Sequence, residues 1–321
     1  MYTDSLVVGI LKKNYQHAVR IRMYSQITAN KRKTILLITI FIAVILGIGY
    51  VLSQYLGYGY EMMALAFIIS ILMTLVSYFH GDKIALRSAG ARQITKKDNP
   101  YVYRLVENLA ITSGQPMPKV YIIPSPALNA FATGRDPNHA HVALTTGIIE
   151  VLENEELEGV IAHELSHIKN YDIRVMTIVV VLVGGLALLA DMFFRARLFG
   201  FGGRNNENRG SAGGILMIVG IVLMILAPLI GELIKLAISR KREFLADASG
   251  ALLTRYPEGL ARALLKISAS NMPLQTASEA TAHLFIANPF KKKTLSHLFS
   301  THPPVEERVK RLRENIRPFA K

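Results

Sequence analysis

Four long apolar runs divide the chain. They extend from Thr34 to Leu52, from Met62 to Phe79, from Val175 to Phe194 and from Ala212 to Gly231. A helix needs about 20 apolar residues to cross the hydrocarbon core of a bilayer. The pattern therefore predicts an integral membrane protein with about four transmembrane helices, arranged as two hairpins.

Basic residues indicate the orientation of the first hairpin. Lysines and arginines crowd before Thr34 and after Phe79, whereas the loop of residues 53–61 has neither and carries Tyr55, Tyr58 and Tyr60 in or beside it. By the positive-inside rule both flanks are cytoplasmic, and the tyrosines mark the outer interface. The connection of the second hairpin holds four arginines, so that hairpin either does not fully cross the membrane or its arginines extend back to the interface.

The remaining stretches alternate between helical and strand-like patterns. Apolar residues recur at helical spacing from Asn154 to Lys169, which predicts an amphipathic helix. Short β-like runs precede it, and further helical patterns follow residue 239. We expect a mainly α fold with a small β-sheet (α+β). The predicted strands are Lys119–Pro124, Ala127–Thr133 and His141–Thr145, and the other predicted helices are Pro100–Thr112, Arg242–Leu253, Glu258–Ser268 and Val305–Ile316.

Composition narrows the choice of partners and metal ligands. Mean hydropathy is +0.30 and 19% of the 321 residues are charged, against about 25% in an average soluble domain. The net charge is +14. Because the basic residues lie beside apolar segments, anionic lipid is favoured over nucleic acid as their partner. The chain has no cysteine, so any metal must be held by His, Asp or Glu.

The chemistry is concentrated in H-E-L-S-H, residues 163–167. His163 and His167 lie on one helix face at the spacing that two ligands of one zinc ion need, and Glu164 is placed to take a proton from water. The alternative is a polar helix face with two ordinary histidines. The amphipathic helix around the motif favours the metal site.

A catalytic zinc usually has three protein ligands. Glu243 and Asp247, in E-F-L-A-D, lie four residues apart on a predicted helix and point the same way. Glu243 fits a third ligand, and Asp247 fits an acceptor for the free ring nitrogen of a ligand histidine. From spacing alone, a surface charge pair with Lys241 or Arg242 is an equally good interpretation.

The chain carries H-E-L-S-H, then a membrane hairpin and then E-F-L-A-D. With this order of motifs it resembles the HtpX family of membrane zinc metallopeptidases, which are related to the CAAX prenyl proteases. N-A-F-A at Asn129–Ala132 and T-H-P-P at Thr301–Pro304 extend the resemblance over nearly the whole chain. It implies a gluzincin-like catalytic domain interrupted by the second hairpin, with Glu243 as third zinc ligand and Asp247 behind a ligand histidine. The implied segments are a cytoplasmic N-terminal segment (1–33), the first hairpin (34–79), the first catalytic half (80–172), the second hairpin (173–238) and the second catalytic half (239–321).

Two further roles are implied by the resemblance. The strand that contains Asn129, Ala130, Phe131 and Ala132 is expected to pair with an extended substrate, although spacing alone favours an ordinary structural strand. His302 is expected to stabilise the oxyanion. The alternatives are that His302 only precedes a helix N-terminus, or that His283 supplies the oxyanion donor.

The sequence therefore predicts a multi-pass zinc endopeptidase of the cell membrane, with one Zn²⁺ per chain and its catalytic site on the cytoplasmic side. The resemblance implies polypeptide substrates, especially damaged or misfolded membrane proteins, and a role in protein quality control. The main alternative is a membrane scaffold with a structural zinc site and no proteolytic activity. A zinc transporter is less favoured, because the spans carry no paired His, Asp or Glu set at mid-depth.

Overall fold

The computed structural model describes residues 2–56, 59–199, 239–278, 280–290 and 303–314. The fourth apolar run, most of the connection before it and His302 lie outside these residues. The described helices are α1 (Tyr2–Leu56), α2 (Tyr60–Ser88), α3 (Pro100–Ser113), α4 (Thr146–Val151), α5 (Asn154–Lys169), α6 (Asp172–Phe199), α7 (Arg240–Thr254), α8 (Pro257–Ala269) and α9 (Val305–Glu314). The described strands are β1 (Arg92–Gln93), β2 (Lys119–Ile123), β3 (Ala130–Gly134) and β4 (Ala140–Thr145).

Two helices in the described part of the chain are long and apolar enough to cross a membrane: Gln26–Val51 within α1, and α2. Helix α2 leaves about half of the surface of Phe67, Leu72 and Phe79 exposed. An apolar surface of this kind suits lipid better than water. The first span starts before the predicted Thr34, because α1 is continuous from Tyr2 to Leu56 and its apolar part begins at Gln26.

The third apolar run forms α6, which follows α5 after a bend of 82°. By length and composition α5 and α6 count as a span only when taken together, so the structure offers two or three spans among its described residues. Helix α5 packs its apolar face on the sheet and on α8, so it shares its hydrophobic core with them. Most residues between Asp172 and Leu186 of α6 are buried, with Val175 and Val179 packed on Leu37 of α1.

The sheet is small and mixed, with strand order β1-β2-β4-β3. Strands β2 and β4 run parallel, and the other two neighbouring pairs are antiparallel. The mainly helical fold with a small sheet is as predicted. Strand β3 begins three residues after the predicted Ala127, because Ala127 and Asn129 use their carbonyl groups in a turn closed by the Thr145 hydroxyl.

Candidate metal centre and active site

Helix α5 carries H-E-L-S-H and is held between the sheet and two later helices. Its Leu157, Val160 and Ile161 are fully buried in the core that includes Val142 of β4 and Leu264 of α8. Helix α7 approaches α5 closely at Gly250, where an added Cβ atom would lie 3.0 Å from the backbone nitrogen of His163. A small residue is therefore needed at this crossing, which brings the Glu243 end of α7 to the histidines.

Three buried side chains meet between α5 and α7. The Nε2 atoms of His163 and His167 lie 3.1 Å apart, and the Glu243 carboxylate lies 3.8 Å from the first and 3.6 Å from the second. Ligand atoms about 2.0–2.2 Å from a tetrahedral zinc are separated by about 3.3–3.6 Å. In the described part of the chain, these three residues form a group whose possible ligand atoms all lie within 4.8 Å of one another, close enough to hold one metal ion. The predicted ligand set is therefore brought together, and it fits a metal ion.

Asp247 lies behind the first histidine, as predicted. The Nδ1–H group of His163 donates to the Asp247 carboxylate over 3.0 Å, which leaves Nε2 free to bind a metal. Arg308 of α9, only 1% exposed, donates two hydrogen bonds of 2.9 and 2.7 Å to the same carboxylate. Burial opposes ionisation of Asp247, but Arg308 and His163 outweigh it and lower the pKa of Asp247 to about 2. The carboxylate is thus ionised at neutral pH.

The second histidine has an equivalent partner that the sequence analysis missed. The Nδ1–H group of His167 donates to Asp172 over 2.9 Å. Asp172 is the first residue of α6, five positions after His167, so its side chain returns past the bend to the histidine. The sequence signal that could have revealed this contact is an acidic residue just after the end of α5. Both histidines therefore direct Nε2 toward the candidate metal position and donate Nδ1–H to a buried carboxylate.

The electrostatics of the two histidines differ. Burial is the largest effect on His163 and lowers its pKa to about 4. Burial also opposes the charged form of His167, but its hydrogen bond to Asp172 and the charge of Glu243 outweigh this effect and raise the pKa of His167 to about 9. The cluster thus favours a positive charge at the point where the two Nε2 atoms meet. A bound divalent cation would supply that charge in place of the proton.

Glu164 lies on the same helix and is 2% exposed. Burial raises its pKa to about 7, with the Glu243 charge adding to the effect, while His167, Arg308 and a hydrogen bond from the Ala132 backbone N–H lower it. A carboxylate whose pKa lies near neutral pH can both accept and release a proton. The hydrogen bond from Ala132 connects this residue to the edge strand β3.

The strand predicted to bind substrate, β3, is one of the two edge strands of the described sheet, but the chain itself covers part of it. The Ile286 backbone N–H donates to the Ala130 carbonyl over 2.9 Å. The Asn129 amide pairs with the backbone of Ala287, donating over 3.0 Å and accepting over 3.3 Å. All five residues of β3 are buried. Asn129 and Ala130 are thus occupied by residues 286–287, whereas Ala132 faces Glu164.

The two candidates for the oxyanion donor are not brought to the centre by described contacts. His302 lies outside the described residues. His283 is buried, and its Nε2 atom is 3.1 Å from the Met176 carbonyl oxygen of α6, to which it can donate. The Nε2 atom of His283 is therefore directed at a backbone carbonyl, and the role of His302 stays a prediction.

Comparison with known proteins identifies the family of the chain. The profile of peptidase family M48 matches residues 96–316. A "Protease HtpX homolog" of Tropheryma whipplei (strain Twist) is 47% identical over 292 residues, covering 91% of this chain and 98% of that protein. The homolog of Streptococcus uberis is 45% identical over 295 residues, covering 91% and 99%. The crystal structure of S. mikatae Ste24p matches with 19% identity and a TM-score of 0.45, covering 91% of this chain and 67% of that one.

Proposed function

The chain belongs to peptidase family M48 and is a membrane-associated metalloprotease; we propose that its metal is zinc and that it cleaves internal peptide bonds of membrane proteins. The observation that carries the proposal is the buried cluster of His163, His167 and Glu243 with Glu164 beside it. Two histidines and a glutamate are a ligand set of catalytic zinc sites. One Zn²⁺ per chain would occupy it.

The chain's own residues supply proton transfer and orientation. A bound zinc ion would act as Lewis acid toward the scissile carbonyl and lower the pKa of water to about 7. Glu164 takes the proton from the attacking water and passes it to the leaving amine, for which a pKa of about 7 is suited. Asp247 and Asp172 hold the two imidazoles in the tautomer that keeps Nε2 for the metal.

The substrate is proposed to pair with β3 at Ala132, next to Glu164. A strand edge binds extended peptides through main-chain hydrogen bonds with little dependence on sequence, which suits a protease of misfolded chains. Because residues 286–287 occupy Ala130 and Asn129, pairing with the whole predicted stretch Asn129–Ala132 requires those residues to move aside. Phe131 lies against Phe285, with ring centroids 5.0 Å apart.

The site is proposed to lie on the cytoplasmic side of the cell membrane. Helix α1 carries basic residues before its span, and its Asn30 contacts the turn that follows the zinc helix. The metal centre is therefore next to the end of α1 that the positive-inside rule places in the cytoplasm. This location suits membrane proteins as clients and a role in protein quality control.

The test is proteolysis of a misfolded membrane protein by the purified chain and by its Glu164→Gln variant. We expect the variant to keep its zinc and to lose at least about a thousandfold in rate, because the proton acceptor is removed. Glu155→Gln, an exposed glutamate on the same helix, should cleave like the wild type. Cleavage by Glu164→Gln at the wild-type rate would refute the catalytic assignment.

The alternative of a structural zinc scaffold finds no support in the comparisons. A closed structural site has four protein ligands, and the cluster found among the described residues has three. A chelator that abolishes cleavage, with recovery on adding zinc back, would separate the protease from the scaffold.

A further inference from the structure

A buried asparagine of the first membrane helix reaches the metal centre from behind. Asn30 is 1% exposed and lies within the span Gln26–Val51 of α1. Its Nδ2 group donates to the Asp172 carboxylate over 2.6 Å and to the Asn170 carbonyl over 2.9 Å. Asp172 in turn accepts the Nδ1–H of His167. Two hydrogen bonds thus connect a membrane helix to a metal ligand.

The place that Asn30 holds is the bend between α5 and α6. Tyr171, at the centre of this bend, has a φ of 59°, a left-handed conformation that is unfavourable for a residue with a side chain. Such a conformation persists only where its surroundings enforce it. Asn30 bonds the residue before Tyr171 and the residue after it, so its amide fixes both sides of the strained turn.

The third-ligand helix joins the same cluster. Arg242, next to Glu243 and 3% exposed, donates to the Asn30 side-chain oxygen over 3.4 Å and lies 3.6 Å from the Asp172 carboxylate. The amide nitrogen of Asn30 therefore donates to Asp172, the partner of His167, and its amide oxygen accepts from the neighbour of Glu243. The cluster of Asn30, Asp172 and Arg242 thus connects α1 with both helices that supply the proposed metal ligands.

We propose that Asn30 is a positioning residue for the metal centre, acting through Asp172 on His167, so that the peptidase site is completed by its first membrane helix. The inference rests on the proposed metal site. Outer partners of metal ligands typically change metal affinity by 10–100-fold when removed. Asn30 is one hydrogen bond further from the metal ligand His167 than Asp172 is. Its removal should therefore weaken metal binding less than removal of Asp172 does.

The experiment measures zinc dissociation constants by chelator competition, using detergent-solubilised full-length protein that carries Glu164→Gln to prevent self-cleavage. Asn30→Leu, close to asparagine in shape, should weaken zinc binding about tenfold, and Asp172→Asn should weaken it by more. In the double variant the Asn30 substitution should add less than twofold. The matched control is Ser77→Ala, which removes another buried hydrogen bond between a membrane helix and α6, to the Ile178 carbonyl; it should change affinity less than twofold.

Cobalt(II) absorption supplies a readout that loss of stability alone would not move. The d–d bands of the cobalt-loaded protein should shift in Asn30→Leu and Asp172→Asn and stay unchanged in Ser77→Ala. If Asn30→Leu does not fold, Asn30→Ala, which adds no apolar bulk, takes its place with the same expectation. The proposal would be overturned if the Asn30 variants kept the wild-type zinc affinity and cobalt spectrum. It would also be overturned if the losses of zinc affinity caused by the Asn30 and Asp172 substitutions multiplied fully in the double variant. A parent protein that binds no zinc would instead refute the metal site itself.

Discussion

Arg308 and Asp247 form a fully buried pair, 61 residues apart in the chain and joined by two hydrogen bonds. Both are at most 3% exposed, and burial of either charge alone would be costly. Since Asp247 holds His163, α9 contributes to the metal centre without supplying a ligand. The last described helix therefore serves the active site through this pair.

Replacing Arg308 by Met should destabilise the protein by about 3–5 kcal/mol, because it leaves the Asp247 charge buried without its cation. The measurement is the free energy of unfolding in detergent. Lys310→Met on the same helix removes only an exposed pair with Glu314 and should cost less than about 1 kcal/mol. Equal effects of the two substitutions would contradict a structural role for the buried pair.

Gly250→Ala should weaken zinc binding and lower stability by about 1–3 kcal/mol, as overpacking typically does. The new Cβ atom would meet the backbone of Ala162 and His163 at 3.0–3.3 Å, which pushes α7 and its Glu243 away from the histidines. Gly184→Ala is the control, because nothing lies within 4 Å of a Cβ atom at that position. Chelator competition and thermal unfolding of both variants test this expectation.

Zinc should stabilise the protein, since it binds the folded cluster of ligands. At a free zinc concentration about a thousand times the dissociation constant, the gain is about 4 kcal/mol. Removal of the metal with a chelator should therefore lower the thermal midpoint of the wild type, and Glu243→Gln should show a much smaller difference between the two conditions. An equal difference in Glu243→Gln would mean that Glu243 is not a ligand.

The contact between Glu258 of α8 and Arg313 of α9 should weaken in acid. The hydrogen bond from Arg313 lowers the pKa of Glu258 below its usual 4.5. A carboxyl group with a lowered pKa stabilises the fold above its usual pKa, and this contribution is lost as the pH falls through the folded-state value. Both side chains are partly exposed, so solvent limits the effect to less than about 1 kcal/mol.

Thermal unfolding of the wild type and of Glu258→Gln between pH 6 and pH 3 measures this contribution. The difference between the two proteins should be present at pH 6 and should shrink toward pH 3. A difference that grows in acid would contradict the sign of the assignment.

The sequence predicted those parts of the site that lie within single elements. His163 and His167 are one helical turn apart, and Glu243 and Asp247 are likewise four residues apart, so periodicity alone placed each pair on one face. The resemblance to a family then joined the two pairs across the second hairpin. The structure brings them together as expected.

Apart from Asp172, which follows His167 by five positions, the missed residues act across long sequence separations. Asn30 lies 142 residues from Asp172, and no periodic pattern relates positions on different elements. Arg308 is one of several cations on α9, and its neighbours Lys310 and Arg311 are exposed. Burial distinguishes it from them, and burial follows from how α9 packs on α7 and α8. The covering of β3 by residues 286–287 depends in the same way on tertiary packing.

The most direct test is X-ray absorption at the zinc K-edge on the Glu164→Gln protein loaded with one zinc per chain. Two histidine nitrogens and a carboxylate oxygen at about 2.0–2.2 Å are expected, with one imidazole lost in His167→Ala and the carboxylate lost in Glu243→Ala. A first coordination shell that stays unchanged in both variants would contradict a metal held jointly by α5 and α7.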